Sequence, residues 1–305
     1  MINHAASGFA ARTSILVVAC CFGAVTEAEP PTDGRAPPRS ADRFELCWAD
    51  EFDSNGPPSP TNWSFEHGFK RNKELQWYQE DNAWCEDGCL VIEARRERRD
   101  LSLDERRLNT ANWATRRPHA EYTSASLNTR NKHDWLYGRF VARARVPAVA
   151  GAWPAFWTLG YGAWPACGEI DVMEYYDESV LANVAWLGKK QSIVWDAVKT
   201  PVRELGEDSW RTSFHEFRMD WSQDSIDLYV DDKLLNTTRV ADVETPAADG
   251  NPFRKPHYLL LNLAVGGRHG GDPSATAFPI RYEIDYVRVY QRRQVMDEPE
   301  ATTSR

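Results

Sequence analysis

Short hydrophobic runs that alternate with polar residues recur along most of the chain. In residues 138–146 every second residue is Phe, Ala or Val, and three of the four between them are Arg. A period of two is typical of a strand with one buried face. Comparable runs occur at residues 89–94, 225–230, 258–265 and 282–290. The pattern therefore predicts many short strands.

Turn-forming residues separate these runs, and no stretch shows a long helical period. We find no internal repeat and no sign of a second domain. Many short strands joined by turns predict an all-β fold, either a β-sandwich or a jelly roll. One stretch, residues 95–117, is rich in Arg and lacks strand alternation, so we predict a long, solvated surface loop there.

An acidic run in the middle of the chain carries the candidate chemistry. Glu169 and Asp171 are two residues apart, so a strand places both on one face. Regular alternation would then bury Glu174, and an unpaired buried carboxylate is costly. A β-bulge at Val172–Met173 would return Glu174 to the acidic face. We therefore predict a bulged strand with three acids on one face.

Aromatic residues flank this run, at residues 153–157 and 175–176, and the chain contains 13 Trp. Sugar rings have apolar faces and polar rims, which suit a cleft lined by Trp. A large aromatic core, or a strand edge facing solvent, is the alternative. Paired carboxyl groups supply the nucleophile and the acid of glycoside hydrolysis. Together these features favour a sugar cleft.

The overall charge excludes one class of partner. The 305 residues carry a net charge of -9, with a sequence pI of about 5.4. A nucleic-acid-binding protein needs a basic face, so we predict no nucleic-acid partner. The partner that the acids and the aromatic cleft indicate is a polysaccharide. We also expect a monomer.

The two ends of the chain read as segments outside the fold. Residues 1–29 combine Arg12 with a short apolar run, which is typical of a signal peptide. Cleavage is expected either near Ala28 or, at a lipoprotein-type site, before Cys20; a lipid on Cys20 would be the one membrane attachment. Residues 30–41 read as a Pro-rich linker, 42–293 as the catalytic domain and 294–305 as a polar tail. We therefore predict export to the periplasm, the medium or the outer membrane.

Four cysteines remain after cleavage, namely Cys47, Cys85, Cys89 and Cys167. Four cysteines allow three pairings, and an exported protein meets an oxidising compartment. Cys85 and Cys89 flank a turn signal between two strand-like runs, so we predict a hairpin disulfide between them. For Cys47 and Cys167 the alternative is that both are free, buried thiols.

The chain from about residue 44 to residue 290 resembles glycoside hydrolase family 16, which includes β-1,3-glucanases, lichenases, agarases, porphyranases and κ-carrageenases. The acidic run Glu169–Glu174 carries the resemblance with other stretches in the family's order. These stretches are residues 48–53, 72–78, 122–125, 137–140, 153–157 and 285–290. The resemblance implies a jelly roll of two curved antiparallel sheets with a concave substrate cleft.

The resemblance also implies residue roles. Glu169 would be the nucleophile, Glu174 the general acid/base and Asp171 the assisting acid between them. The spacing with Met173 is similar to that of the laminarinase, agarase and carrageenase branch. Residues expected to bind substrate are Trp153, Trp157, Trp164, Asn72 and Glu74.

The same resemblance implies a structural calcium ion in some members. The matching positions here are Glu51, Gly88 and Asp285, and hard oxygen ligands suit calcium. No cofactor is expected to be required for catalysis.

One departure leaves the substrate open. Laminarinases usually carry a Thr-x-His run on the strand after the acids, and residues 182–190 lack it. Trp186 and Lys189 are candidates for a different subsite. We predict an endo-acting, retaining hydrolase of β-1,3- or β-1,3/1,4-glucan. The alternatives are a hydrolase of agar, porphyran or carrageenan, since Arg binds sulfate well, a transglycosylase, and a non-catalytic glycan-binding domain.

Overall fold

A computed structural model describes residues 44–108, 112–246 and 250–292. The predicted signal peptide, the linker, Cys20 and the tail at 294–305 lie outside the described residues, as do the outermost residues of the predicted domain 42–293. Within the described residues no helix is long and apolar enough to cross a membrane.

The fold is all-β and consists mainly of two antiparallel sheets. The first, here called the cleft sheet, has the order β14-β13-β12-β11-β18-β9-β2. Its strands are β2 (Ser64–Phe65), β9 (Ser126–Asn128), β11 (Ala152–Gly160), β12 (Glu169–Tyr176), β13 (Ser179–Leu187), β14 (Ile193–Pro201) and β18 (His257–Val265).

The second sheet, here called the outer sheet, has the order β17-β16-β15-β10-β19-β5-β4, with β1 also paired to β19. Its strands are β1 (Phe44–Asp50), β4 (Ala83–Glu86), β5 (Cys89–Ala94), β10 (Gly138–Arg145), β15 (His215–Trp221), β16 (Ser225–Val230), β17 (Lys233–Arg239) and β19 (Ile280–Arg292).

Four short strands and several short helices complete the described chain. The strands are β3 (Gln76–Tyr78), β6 (Arg99–Asp100), β7 (His119–Ala120) and β8 (Tyr122–Ser124). The α-helices are α1 (Leu103–Leu108) and α2 (Asn112–Thr115), and the 3₁₀ helices are Glu80–Asn82, Val202–Glu204, Asp208–Thr212, Val240–Asp242 and Pro252–Arg254.

The core lies between the two sheets and follows the alternation that the sequence shows. On β10, Phe140, Ala142 and Ala144 are fully buried in the main hydrophobic cluster. Phe156 of β11 and Leu261 of β18 enter the same cluster from the cleft sheet. The predicted jelly-roll sandwich is confirmed, because both sheets turn one apolar face inward.

The Arg-rich stretch is not the solvated loop that we predicted. It contains β6, α1 and α2, and it packs on the protein through a small second cluster. Trp113 and Ala114 contact Phe69 and Trp77 there. The prediction failed because these apolar residues are scattered among charges and have no strand period.

The structure contradicts the disulfide between Cys85 and Cys89, since both are free thiols. In the β4–β5 hairpin, Cys85 pairs with Leu90 and Glu86 pairs with Cys89. Paired residues share a face, and neighbours along a strand alternate. The two thiols therefore point to opposite faces of the outer sheet. Cys47 is exposed and Cys167 is buried, and both are also free.

Candidate active site

A bulge in β12 shapes the candidate site. On the β11 side, Trp157 pairs with Asp171 while Phe156 pairs with Met173, so one step on β11 matches two steps on β12. The register with β13 shifts over the same residues, between Asp171 and Glu174. The predicted bulge at Val172–Met173 is therefore present.

The bulge separates apolar and acidic side chains onto the two faces of β12. Val172 and Met173 both point into the core and are almost completely buried. Glu169 and Glu174 line the cleft on the other face, and Asp171 lines an adjoining pocket. In a regular strand without the bulge, Glu174 would face the core, where nothing compensates its charge.

Gly168 sets the start of this strand. Its φ is +76°, in the left-handed region that residues with a Cβ rarely adopt. A Cβ there would also lie 2.7 Å from Cβ of Pro252. Glycine therefore lets the chain enter β12 directly before Glu169.

Glu169 lies at the entrance of β12, and its carboxylate accepts a hydrogen bond from Nε1 of Trp164 at 2.9 Å. Burial raises the pKa of Glu169 to about 7, and the nearby Glu174 carboxylate adds to the rise. Arg71 and the Trp164 N–H act in the opposite direction and favour the charged form. Glu169 is thus the acid of this group that has a cation nearby.

Glu174 is the most heavily hydrogen-bonded of the three acids. Its Oε1 accepts from Nε1 of Trp153 at 2.7 Å, and its Oε2 accepts from Nδ2 of Asn183 at 3.1 Å. Burial raises the pKa of Glu174, while bonds from Trp153, Asp171 and Asn183 counteract the rise. This carboxyl group is therefore held in one orientation.

Asp171 lies between the two glutamates and is fully buried. Burial, followed by the charges of Glu174 and Glu169, raises the pKa of Asp171 well above its ordinary value. Asn183 also donates to Oδ2 of Asp171 at 3.3 Å. The raised pKa favours the protonated form of Asp171, which is placed to donate a hydrogen bond to Glu174.

The cleft has a volume of about 650 Å³. Four of the predicted substrate residues, Trp153, Trp157, Trp164 and Asn72, line it. Trp153 and Trp157 are only 6% exposed, so they form its floor, whereas Trp164 is 47% exposed at the rim.

Glu74, the fifth predicted substrate residue, lies in the adjoining pocket beneath the cleft. Its carboxylate accepts from Nε2 of Gln76 at 2.8 Å and from the Tyr78 hydroxyl at 3.3 Å. Burial raises the pKa of Glu74 to about 7, and the positive charge of Arg71 lowers it. The position fits an indirect role, in which Glu74 supports Arg71 and Asn72 from below.

Several cleft residues were missed by sequence reasoning. Asn183 and Trp195 line the cleft from β13 and β14, beside Tyr176 of the aromatic run that the sequence had shown to flank the acids. Arg268 and His269 reach it from the glycine-rich turn after β18, and the His269 ring stacks on Tyr176 with centroids 5.3 Å apart. Alternation along β14 could have shown from the sequence that Trp195 lies on one face of a strand. It could not show that this strand lies near the acids, because the order of strands in the sheet is set by tertiary pairing.

The proposed subsite residues Trp186 and Lys189 do not line the cleft. Trp186 is buried in the core and donates from Nε1 to the Glu244 carbonyl oxygen at 3.2 Å. Lys189 forms an exposed ion pair with the Glu244 carboxylate at 2.7 Å. The idea is wrong because Trp186 and the cleft residue Asn183 are an odd number of positions apart on β13.

The Arg-rich stretch supports the cleft from outside. Arg117 donates to the carbonyl oxygens of Glu74, at 2.6 Å, and Lys73, at 3.3 Å. Its guanidinium also lies over the rings of Phe69 and Trp113. Arg117 therefore binds the segment that carries Asn72 and stabilises it.

The carboxylates of two of the predicted calcium ligands, Glu51 and Asp285, are engaged elsewhere. Both carboxylates are paired with arginine, because Glu51 accepts two hydrogen bonds of 2.8 Å from Arg288 and Asp285 accepts from Arg143. Gly88 lies in the β4–β5 turn. In the described part of the chain, no three His, Cys, Asp or Glu side chains are grouped to hold a metal.

Comparison with known proteins gives a consistent picture. The family model described as glycosyl hydrolases family 16 matches residues 72–288. A β-glucanase of Rhodothermus marinus is 37% identical over 281 residues, which cover 82% of this chain and 86% of that protein.

Solved structures of similar proteins agree with the fold. The laminarinase of Rhodothermus marinus is 36% identical with a TM-score of 0.65, covering 83% of this chain and 99% of that one. A second structure, from work on endo-acting O-glycanases with which prominent members of the human gut microbiota initiate mucin breakdown, is 32% identical. Its TM-score is 0.74, and the match covers 84% of this chain and 94% of that one.

Proposed function

The chain belongs to glycosyl hydrolases family 16, and we propose that it is an endo-acting, retaining hydrolase of β-1,3- or β-1,3/1,4-glucan. The observation that carries the proposal is the bulged strand β12, which holds Glu169, Asp171 and Glu174 along one cleft. An open cleft suits attack within a long chain.

In the proposed mechanism, Glu169 attacks the anomeric carbon while Glu174 gives its proton to the leaving oxygen. The C–O bond to the leaving sugar breaks as the bond to the Glu169 oxygen forms. Glu174, now ionised, then takes a proton from water, and that water hydrolyses the glycosyl-enzyme. The anomeric configuration is retained because inversion occurs twice.

The electrostatics support this division of roles. A nucleophile must be ionised, and against the burial that raises the pKa of Glu169 to about 7, Arg71 favours its ionised form. A general acid must carry a proton, and burial raises the pKa of Glu174, which favours its protonated form. The hydrogen bonds from Trp153 and Asn183 keep the Glu174 carboxyl group in place throughout.

The choice of glucan rests on the relatives, since the Rhodothermus marinus proteins are named a β-glucanase and a laminarinase. The test is one panel of laminarin, lichenan, agarose, porphyran, κ-carrageenan and mucin O-glycans, scored for new reducing ends. We expect laminarin or lichenan to be cleaved. Cleavage of a galactan or of O-glycans, without cleavage of either glucan, would overturn the substrate and leave the mechanism standing.

One observation favours a second candidate, a hydrolase of an anionic galactan-type glycan. Arg268 is exposed in the cleft lining, where a guanidinium group binds sulfate or carboxylate well. Exposed ion pairs are screened over roughly 8–10 Å at physiological salt. Repeating the panel at low and high salt separates the two, because only a glycan bound through charge should lose affinity as salt rises.

Export of the protein stays part of the proposal. The apolar run in residues 1–29 supports it. Mass spectrometry of the mature protein tests it, with the expected N-terminus either near Ala28 or at a lipid-bearing Cys20. A mature protein that retains Met1 in the cytoplasm would contradict it.

A further inference from the structure

Trp195 differs from the other tryptophans of this protein. Among the described residues, each of the other twelve has an indole hydrogen bond or a ring contact, such as the bond from Trp164 to Glu169. Trp195 has neither, and it is 47% exposed. The fold therefore makes no specific use of this indole, although exposing a large apolar ring to water is unfavourable.

The position of Trp195 connects it to the acids. It lies on β14, the edge strand of the cleft sheet, with its side chain in the cleft lining. Across the sheet, Glu169 pairs with Ala185, and Ala185 pairs with Trp195. Paired residues share a face, so Trp195 lies in the same row as Glu169, two strand spacings or roughly 10 Å away.

The side chains between Trp195 and Glu169 are small. Ala185 is the residue in that row on β13, and Ala197 is the next cleft-facing residue along β14. Small side chains at both positions leave the face of Trp195 accessible from the acids. Ile193, 44% exposed, extends the apolar surface on its other side.

We propose that Trp195, together with Ile193, forms a sugar-binding platform that lies beyond β13 and holds a distal residue of the glycan. A pyranose ring stacks its apolar face on the indole, while its hydroxyl groups remain in water. The platform rests on the proposed function, and it makes the enzyme select glycans long enough to reach β14. It lies beside the part of β13 from which the Thr-x-His run is missing, since Trp195 pairs with Ala185.

The test compares Trp195→Ala with wild type on a ladder of β-1,3-glucan oligosaccharides, from the trimer upward, and on laminarin. We expect KM to rise about tenfold for substrates long enough to reach β14, with kcat and the shortest cleaved substrate almost unchanged. Tenfold corresponds to about 1.4 kcal/mol. Trp195→Phe keeps a flat ring and should restore most of the affinity.

Leu234→Ala is the matched control, because Leu234 is also about half exposed but lies on β17 of the outer sheet. This variant should leave KM unchanged for every substrate. An equal loss on short and long substrates with Trp195→Ala, or no loss on either, would overturn the platform. A change from dimer to monomer in size-exclusion chromatography, with KM unchanged, would also overturn it, since it would assign Trp195 to contacts between two copies.

A binding measurement separates the platform from the proposed hydrolysis. The variant Glu169→Gln and its double variant with Trp195→Ala are compared by retardation in native gels that contain laminarin or each other polysaccharide of the panel. Retardation that depends on Trp195 supports the platform even if no hydrolysis is found, and in that case only the proposed function fails. Equal retardation of the two proteins would overturn the platform.

Discussion

The acidic side chains of the two sheets have different neighbours. On the outer sheet and directly after its strand β1, five carboxylates pair with arginine, namely Glu51, Glu93, Asp220, Glu283 and Asp285. On the cleft sheet, Glu169, Asp171 and Glu174 face one another, and the nearest arginine, Arg71, is bound to another carboxylate, Glu66.

The consequences for protonation are opposite. The hydrogen bond from Arg288 lowers the pKa of Glu51, whereas burial raises the pKa of Glu169, Asp171 and Glu174. A partnered acid contributes a little to folding and stays charged. A buried group of acids destabilises the fold and holds exchangeable protons, and strong perturbation of this kind is concentrated at functional sites.

The largest effect on activity is expected from removing the proposed nucleophile of the cleft sheet. Glu169→Ala should lower kcat by roughly 10⁴-fold or more, because no glycosyl-enzyme can form. Azide in the assay should restore turnover and give a glycosyl azide of inverted configuration. Circular dichroism should show an unchanged fold, and substantial activity in this variant would disprove the assignment.

Replacing the proposed acid should give a smaller and more selective loss. Glu174→Gln keeps the shape of the side chain but cannot donate a proton, so cleavage of glucan should fall by roughly 10²–10⁴-fold. Activated aryl glycosides need no protonation of their leaving group and should lose much less in the first step. Equal losses on both kinds of substrate would argue against the role.

Stability should respond in opposite directions on the two sheets. The raised pKa of Asp171 means that the folded state favours its protonated form. The penalty is therefore absent below the ordinary pKa of an aspartate and grows as pH rises above it. Asp171→Asn should raise Tm at pH 8 by at least about 2 °C, with little gain at pH 4.

Asp285→Asn is the matched substitution on the outer sheet. It removes the partner of Arg143, and because this pair is partly exposed the cost at pH 8 should be no more than about 1 kcal/mol. Thermal denaturation of both variants at the two pH values measures the contrast. A lower Tm for Asp171→Asn at pH 8 would show that the acids of the cleft are well compensated.

The smallest effect concerns calcium. Because Arg288 and Arg143 already pair with Glu51 and Asp285, we expect a chelator to leave Tm within about 1 °C of its value in added calcium. A clear fall in Tm with chelator, reversed by calcium, would show that a cation competes with these arginines. Glu51→Gln serves as the comparison, since it would remove such a fall.

Much of the fold could be predicted because the relevant signals are local. A period of two in residues 138–146 identified β10, and the cost of burying Glu174 predicted the bulge before any partner strand was known. The three acids could be grouped for the same reason, since they lie within one strand. The Arg-rich stretch failed because its buried residues have no period.

By itself the sequence determined the all-β class, the acidic face of β12 and the family, since alternation, the bulge and the motif are properties of neighbouring residues. Only the tertiary structure decided which side chains meet across strands. It placed Trp195 in the same row as Glu169 and set Cys85 and Cys89 on opposite faces. It also paired Asp285 with Arg143. The first and the last of these depend on strand register between segments far apart in the chain, and the cysteines on the register of one hairpin; a shift of one residue reverses every side chain.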